Sequence, residues 1–287
     1  MTEEKNTKIK WRFNSQDGLE LFAHAFPTEE EPKAVLCIVH GHGEHILRYE
    51  HAAKVFNQAG YSVIGFDHRG HGQSDGPRGH IPSYEILMDD VTRFRNEVNE
   101  YYPHLPHFIW GHSMGGNIVL NYVLRHADKI GQQLSGVIAT GPWLKLAFEP
   151  PALQVTLARM MNKIAPAFAQ DSGLETSALA RDPEVVRAYE QDSLVHSKAS
   201  ARFFVEMFES GLWALEHANE FSQSLLLMHG GSDRITSPDA SKAFAEKAPA
   251  DKVTLKVWDG FYHELHNEPE KDEVFNTMLE WMDYRLP

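Results

Sequence analysis

The sequence of 287 residues has few cysteines and few basic side chains, and both shortages restrict what the protein can be. Its single cysteine, Cys37, cannot form an intramolecular disulfide, so the fold does not depend on an oxidising compartment. Lys and Arg number 27 against 40 Asp and Glu, which gives a formal net charge of −13. A nucleic-acid-binding protein needs a basic patch that neutralises phosphates, and no stretch of this sequence supplies one, so we exclude that class.

Long apolar runs are also missing. The first ten residues, MTEEKNTKIK, are polar where a signal peptide needs an apolar core, and no later segment approaches the roughly 18 apolar residues of a membrane span. We therefore expect a cytoplasmic protein. Hydrophobic residues still make up 42% of the chain, which is enough for one large core, so wholesale disorder is excluded.

Short apolar runs alternate with helical patterns along most of the chain. Residues 8–26 have the pattern of an antiparallel hairpin that turns at Asp17 and Gly18. Continuous apolar runs are typical of strands covered on both faces, and they occur at 34–40, 61–67, 107–110, 136–140, 225–229 and 253–258. Because helical patterns separate these runs, the sequence predicts an α/β fold with a mostly parallel, doubly wound sheet and an antiparallel N-terminal hairpin.

The alternation stops between residues 142 and 219, where we find no convincing strand. Helical patterns fill this segment, and one of them runs from Leu153 to Ile164 and ends before Pro166. Two interpretations are open: helices that pack on the main core and, as we prefer, a cap over a site at the carboxyl edge of the sheet. The predicted organisation is a core of residues 1–141 and 220–287 with an inserted helical cap at 142–219.

A G-x-S-x-G motif at residues 111–115 follows the strand HFIW and precedes a helical pattern. The glycines permit a strained turn between strand and helix that lifts the hydroxyl of Ser113 clear of the backbone. The motif occurs often by chance, but its position at the end of a strand makes it specific. We therefore predict that Ser113 is a nucleophile.

A serine nucleophile needs a general base and a carboxylate that orients the base, and in this type of fold they follow at later strand ends. Asp233 follows the run LLLMH, and we prefer it to Asp239, whose place in the first turn of a helix is explained by the helix dipole. His263 follows the last strand, and we prefer it to His266 because it is closer to the strand end. The predicted catalytic triad is Ser113, Asp233 and His263.

The reaction also needs donors for the oxyanion, and backbone N–H groups supply them in this type of fold. One is the N–H of Met114, the residue after the serine. The segment HGHGEH at residues 40–45 follows an earlier strand, and its glycines allow the backbone to bend toward the site. We assign the second donor to the N–H of His42.

The same segment has a competing interpretation as a metal site. His40, His42 and His45 have the spacing of zinc ligands in metallo-β-lactamases. Glu44 replaces the usual Asp, however, and no further ligands line up downstream, so a metal-dependent hydrolase remains a remote alternative and we expect no cofactor.

The motifs together resemble those of the monoacylglycerol lipase and lysophospholipase group of α/β-hydrolases. The resemblance rests on HGHGEH, FDHRGHGQSDGPRGH, GHSMGG, YEQD, GGSDRITSP and GFYHELH, and it extends from Val35 onward. It implies a lidded serine hydrolase that acts on the ester of a single-chain lipid, with the same triad and oxyanion donors as above. This chain departs from the group at His42, where a small residue is common, and in a cap that contains no cysteine.

The resemblance also implies a polar pocket for a glycerol head group, which falls on Glu44, Arg48, Tyr189 and His266. Two roles stay open for Glu44 and Arg48: recognition of the head group and bracing of the loop. Three functional alternatives also stay open, namely a lysophospholipase, a general short-chain carboxylesterase and a lipid-binding protein without catalysis. The expected partner is a small lipid ester, with transient contact between the cap and a membrane or micelle surface.

Overall fold

The computed structural model describes residues 9–127, 130 and 134–287, and the strands within them form one large sheet and one small one. Lys8, where the predicted hairpin begins, lies outside the described residues. The strands are β1 (Lys10–Asn14), β2 (Glu20–Phe26), β3 (Ala34–Val39), β4 (Tyr61–Phe66), β5 (His107–His112), β6 (Leu134–Thr140), β7 (Ala169–Asp171), β8 (Lys198–Ser200), β9 (Leu225–Gly230) and β10 (Val253–Trp258).

The large sheet has the order β1-β2-β4-β3-β5-β6-β9-β10. Strands β1 and β2 form an antiparallel hairpin, β2 pairs antiparallel with β4, and every later pair is parallel. All residues of β3 and β4 are buried because helices cover both faces of the sheet. The predicted α/β class is therefore confirmed, and the apolar runs agree with the strands to within two residues.

Eight helices connect and cover the strands within the described residues. They are α1 (Glu50–Gln58), α2 (Tyr84–Tyr101), α3 (Met114–Arg125), α4 (Ala152–Ile164), α5 (Pro183–Gln191), α6 (Ala201–Glu216), α7 (Pro238–Lys247) and α8 (Lys271–Asp283). Local signals set their limits. The Ser237 side chain, for example, accepts a hydrogen bond from the N–H of Ala240, and Pro238 occupies the first turn of α7. Among the described residues, no helix is both long and apolar enough to cross a membrane.

The helices of residues 142–219, the predicted cap that we call the inserted segment, differ in how they pack on the core. Helix α6 packs against α3, and its residues Phe203 and Met207 join the main core. Helix α4 contains no buried residue and lies against α6. Strands β7 and β8 form a two-stranded antiparallel sheet that the sequence analysis missed, since each strand has only three residues and most of them are exposed or half-buried.

The parallel strands bring the loops after β3, β5, β9 and β10 to one edge of the sheet. These loops carry the segment 40–45, Ser113, Asp233 and His263 respectively. One segment and three residues that are far apart in the sequence therefore reach a common region, where sheets of this type bind their ligands.

Candidate active site

Ser113 lies in a strained turn between β5 and α3. Its φ of 54° and ψ of −113° make it the one described residue other than glycine with positive φ. The turn is so tight that a Cβ on Gly111 would overlap the carbonyl of Gly115, and a Cβ on Gly115 would overlap the carbonyl of Val39. Both glycines of the G-x-S-x-G motif are thus required by close backbone contacts, and the strain is concentrated on the serine.

Asp233 is a buried carboxylate held by several donors. Its Oδ1 accepts hydrogen bonds from the N–H groups of Ile235 at 2.8 Å and Thr236 at 3.1 Å. Its Oδ2 lies 2.7 Å from His263 Nδ1 and 3.1 Å from His229 Nε2. Burial acts to raise the pKa of Asp233, but the nearby His263 and the hydrogen bonds outweigh it and hold that pKa well below its usual range. Asp233 is therefore ionised at neutral pH.

The contact with Asp233 sets the properties of His263. Burial disfavours the imidazolium, but the Asp233 carboxylate outweighs burial and raises the pKa of His263 above its usual value. Because Nδ1 is engaged with Asp233, Nε2 is the ring nitrogen left to exchange a proton with a hydroxyl. The ring lines the same cavity as Ser113. A carboxylate that orients a histidine base is the arrangement that activates a serine nucleophile.

The two rival residues have different surroundings. The Asp239 side chain is exposed in the first turn of α7, where it accepts a hydrogen bond from Lys242 Nζ at 2.9 Å. His266 is fully buried, and its ring stacks on that of Tyr49 with centroids 4.9 Å apart. Neither is among the described residues that line the cavity.

The segment 40–45, which we call the oxyanion loop, is fixed by its own side chains. The N–H of Gly41 donates to Glu44 Oε1 at 2.6 Å, and Gly43 has a φ of 78°. The ring of His42 stacks on Phe203 of α6 with centroids 4.5 Å apart, and its Nδ1 lies 3.4 Å from His71 Nε2. Burial lowers the pKa of His42 to about 3, so the ring is neutral. The His42 ring is thereby held between His71 and Phe203 of α6.

Met114 begins α3, and the first N–H groups of a helix have no partner within that helix. The positive end of the helix dipole lies at the same place. The free N–H and the dipole together favour a negative charge that develops beside Ser113. The Met114 side chain is buried in the core.

Arg48 connects two buried carboxylates. Its Nη1 donates to Glu44 Oε2 at 2.6 Å and to Glu264 Oε1 at 2.7 Å, and its Nη2 donates to Glu264 Oε2 at 2.8 Å. Its guanidinium also lies over the ring of Tyr189, 4.8 Å from the centroid. Of the four residues of the predicted head-group pocket, Glu44 and Tyr189 line the cavity, whereas Arg48 and His266 are not among its described lining residues.

The cavity that contains Ser113 has a volume of about 710 Å³, which is within the usual range for small-molecule sites. Its polar lining includes His42, Glu44, Ser113 and His263. The inserted segment supplies most of the apolar wall, including Phe148, Leu157, Met161, Phe168, Phe203 and Phe204. The site can therefore hold an apolar chain beside the serine.

The histidines of the oxyanion loop do not form a ligand set. His40 Nδ1 lies 2.8 Å from the carbonyl of Gly41, and His45 Nε2 lies 2.8 Å from Asp192 Oδ2. Within residues 9–127, 130 and 134–287, no three His, Cys, Asp or Glu side chains are grouped so that they could hold a metal ion. The geometry of this region therefore gives no support to the zinc alternative.

Sequence reasoning missed Glu264, although it directly follows His263. Its bidentate pair with Arg48 joins residues that are 216 positions apart, so no local pattern indicates it. It also missed Thr236, whose Oγ1 lies 2.8 Å from Asp233 Oδ2, because threonine near a helix start is common.

Known proteins resemble this chain over most of its length. Residues 30–270 match the family model described as serine aminopeptidase S33. The chain is 36% identical over 274 residues to an uncharacterized abhydrolase domain-containing protein of Dictyostelium discoideum, and this match covers 95% of the chain but 28% of that relative's length.

Two further matches extend over nearly whole proteins. The chain is 31% identical to a monoacylglycerol lipase of Mycolicibacterium smegmatis, with 96% of this chain and 98% of that protein covered. The crystal structure of a monoacylglycerol lipase of Paleococcus ferrophilus has 32% identity and a TM-score of 0.83, with 92% of this chain and 98% of that chain covered. The chain belongs to the serine aminopeptidase S33 family of hydrolases and, within the α/β-hydrolase superfamily, to the monoacylglycerol lipase group.

Proposed function

We propose that the protein is a serine hydrolase that cleaves the carboxylic ester of a monoacylglycerol through an acyl-enzyme intermediate. The observation that carries this proposal is the 2.7 Å contact between Asp233 and His263 at the wall of the cavity that contains Ser113. The relatives named monoacylglycerol lipase support this choice of substrate.

The proposed roles follow from the site geometry. His263 Nε2 takes the proton of the Ser113 hydroxyl while Oγ attacks the ester carbonyl, and the N–H groups of Met114 and His42 bind the resulting oxyanion. His263 then gives its proton to the leaving glycerol oxygen as the C–O bond breaks, which leaves the acyl group on Ser113. The same histidine activates a water molecule that hydrolyses the acyl-enzyme, so a fatty acid is released and the serine is regenerated. Asp233 orients the ring and stabilises the imidazolium in both steps.

The walls of the cavity support a lipid with one acyl chain. Apolar side chains of the inserted segment line the cavity that contains Ser113, and Glu44 and Tyr189 line the same cavity. Burying an apolar chain against the apolar side chains is favourable, and free glycerol hydroxyls can bind the polar ones. A second acyl chain would instead press against polar groups that lose water without gaining partners.

We also propose that α4 contacts a membrane or micelle surface. Leu153 and Ile164 are 70% and 71% exposed on this helix, and Phe168 just beyond it is 57% exposed. Because the net charge is −13, the contact depends on apolar insertion rather than on attraction to anionic lipids. In flotation with phosphatidylcholine vesicles, the double variant Leu153→Ser/Ile164→Ser should bind less than wild type. Tyr284→Ser, which removes an exposed ring outside the inserted segment, should bind as wild type does. Equal binding of all three proteins would contradict the proposed contact.

The proposed substrate is tested by hydrolysis rates across four esters: monoacylglycerol, diacylglycerol, lysophosphatidylcholine and p-nitrophenyl butyrate. We expect kcat/KM to be highest for monoacylglycerol and Ser113→Ala to be inactive on all four. A preference for lysophosphatidylcholine would favour a lysophospholipase, and activity confined to the short ester would favour a general carboxylesterase. A folded wild type that binds monoacylglycerol and hydrolyses none of the four would favour a binding protein.

A further inference from the structure

Glu264 carries a buried carboxylate that the proposed reaction does not use. Its side chain is 2% exposed, and its two oxygens accept hydrogen bonds from Arg48 Nη1 and Nη2 at 2.7 and 2.8 Å. Asn267 Nδ2 donates to Oε2 at 2.7 Å. A bidentate pair of this kind fixes orientation as well as distance. Because Glu264 directly follows His263, the backbone that carries the base is tied to Arg48.

Arg48 extends this connection to the oxyanion loop. Its Nη1 also donates to Glu44 Oε2 at 2.6 Å, and Glu44 Oε1 accepts the N–H of Gly41 at 2.6 Å. Gly41 immediately precedes His42, whose N–H is a proposed oxyanion donor. The side chains of Glu44, Arg48 and Glu264 are at most 9% exposed, so water does not compete for these contacts. A continuous set of short polar contacts thus joins the base to one oxyanion donor.

The charges of this cluster also act on the base. Burial favours the neutral form of Glu264, but Arg48 outweighs burial and holds the pKa of Glu264 well below its usual range. Glu264 is therefore anionic at neutral pH. Burial lowers the pKa of His263 and Asp233 raises it, and the charge of Glu264 raises it further.

We propose that Glu264 is a positioning residue, which holds His263 and the N–H of His42 in a fixed relation through Arg48 and Glu44. This inference rests on the proposed ester hydrolysis and adds a role that none of the triad residues supplies. Glu264 lies at the cavity wall, and its oxygens accept three hydrogen bonds from Arg48 and Asn267, which hold the carboxylate in place. Loss of alignment between reacting groups lowers the rate of the chemical step more than it weakens binding.

The variant Glu264→Gln tests this inference, because glutamine keeps the size of the side chain but loses its charge and the bidentate pair. The readout is the rate at which a fluorophosphonate labels Ser113, measured from pH 5 to 9. We expect labelling to slow by about ten- to a hundredfold and its acid limb to move to lower pH, since the base loses a neighbouring anion. On p-nitrophenyl butyrate, kcat should fall similarly while KM stays within about threefold of the wild-type value.

Glu268→Gln is the matched control. Glu268 is also fully buried, and it accepts hydrogen bonds from the N–H of Tyr262 at 2.7 Å and from Arg181 Nε at 2.6 Å. This carboxylate belongs to the same loop, but its described contacts do not lead to the oxyanion loop. We expect this control to label within about twofold of wild type with an unchanged acid limb, even if it melts at a lower temperature. Wild-type labelling by Glu264→Gln, or the same slowing and pH shift in Glu268→Gln, would overturn the inference.

Arg48→Lys provides a second test should Glu264→Gln fail to fold. Lysine keeps a cation between the two carboxylates but lacks the planar fork that binds both oxygens of Glu264. We expect slower labelling, and a folded Arg48→Lys protein that labels at the full rate would overturn the inference. Labelling does not depend on which ester is the natural substrate. A wild type that labels at Ser113 without hydrolysing monoacylglycerol would therefore contradict the proposed substrate and leave this test in place.

Discussion

The Nδ1 of His263 lies 2.7 Å from the Oδ2 of Asp233, and this contact determines which ring nitrogen is free to face the cavity and contributes most to raising the pKa of the ring. Asp233 is held in turn by two backbone N–H groups of the loop that follows β9. The orientation of the base is therefore determined by backbone geometry at the edge of the sheet.

Asp233→Asn should reduce turnover on the order of 10⁴-fold, because asparagine cannot stabilise the imidazolium and favours the wrong tautomer of His263. Asp239→Asn is the matched control, since Asp239 is exposed and paired with Lys242. It should keep wild-type activity. Steady-state rates on p-nitrophenyl butyrate check both variants, and near-normal activity in Asp233→Asn together with an inactive Asp239→Asn would show that Asp239 is the orienting acid.

The pH dependence of kcat/KM should have an acid limb above pH 6.5, the ordinary pKa of histidine. Burial disfavours the imidazolium, but Asp233 outweighs it and raises the pKa of His263, and only the neutral ring can accept the serine proton. Activity is therefore lost as the pH falls through this raised pKa. Removing the charge in Asp233→Asn should move the limb to lower pH. A pH-rate profile at constant ionic strength measures both values, and a limb that moves upward in the variant would refute the assignment of His263 as the base.

Leu157→Asp should reduce activity on long-chain esters far more than on short ones. Leu157 lies on α4 and lines the cavity, and each buried methylene of an acyl chain contributes about 0.8 kcal/mol. In wild type, kcat/KM should rise with acyl length until the apolar wall is covered. A series of p-nitrophenyl esters from two to sixteen carbons measures this dependence. Lys163→Ala on the same helix is the control, and an unchanged length profile in Leu157→Asp would mean that α4 does not contact the acyl chain.

Arg48→Met should lower activity equally on monoacylglycerol and on p-nitrophenyl butyrate, with a reduced melting temperature. The substitution leaves Glu44 and Glu264 buried without their cation, and breaking a buried pair typically costs about 3–5 kcal/mol. The oxyanion loop then loses a contact that both substrates need. Rates on the two esters, together with thermal unfolding, decide between the two roles that the sequence left open. A loss confined to the glyceride, with a normal melting temperature, would assign Arg48 to head-group recognition.

Most of the fold could be predicted because buried parallel strands appear in the sequence as continuous apolar runs. The continuous apolar runs of β3, β4 and β9 have no other simple explanation, and all three strands are fully buried. Strands β7 and β8 have no such runs, since short strands at the surface need neither an apolar run nor strict alternation. The helix α6 joins the core because its apolar stripe faces α3, and a stripe alone does not reveal which surface it will meet.

The residues of the candidate site also differ in how clearly the sequence indicates them. Ser113 could be located from its motif because steric limits at Gly111 and Gly115 act over a few residues. Asp233 and His263 could be located because they follow strands whose ends meet at one edge. The pairing of Glu264 with Arg48 could not be recognised, since the two residues are 216 positions apart.

Covalent labelling of the serine tests the central claim most directly. The protein should react with a fluorophosphonate in a one-to-one ratio, and peptide mass spectrometry should place the adduct on Ser113. Ser113→Ala should fold, gain no adduct and hydrolyse no ester above the uncatalysed rate. An adduct on a different residue, or full esterase activity in Ser113→Ala, would contradict the assignment of Ser113 as the nucleophile.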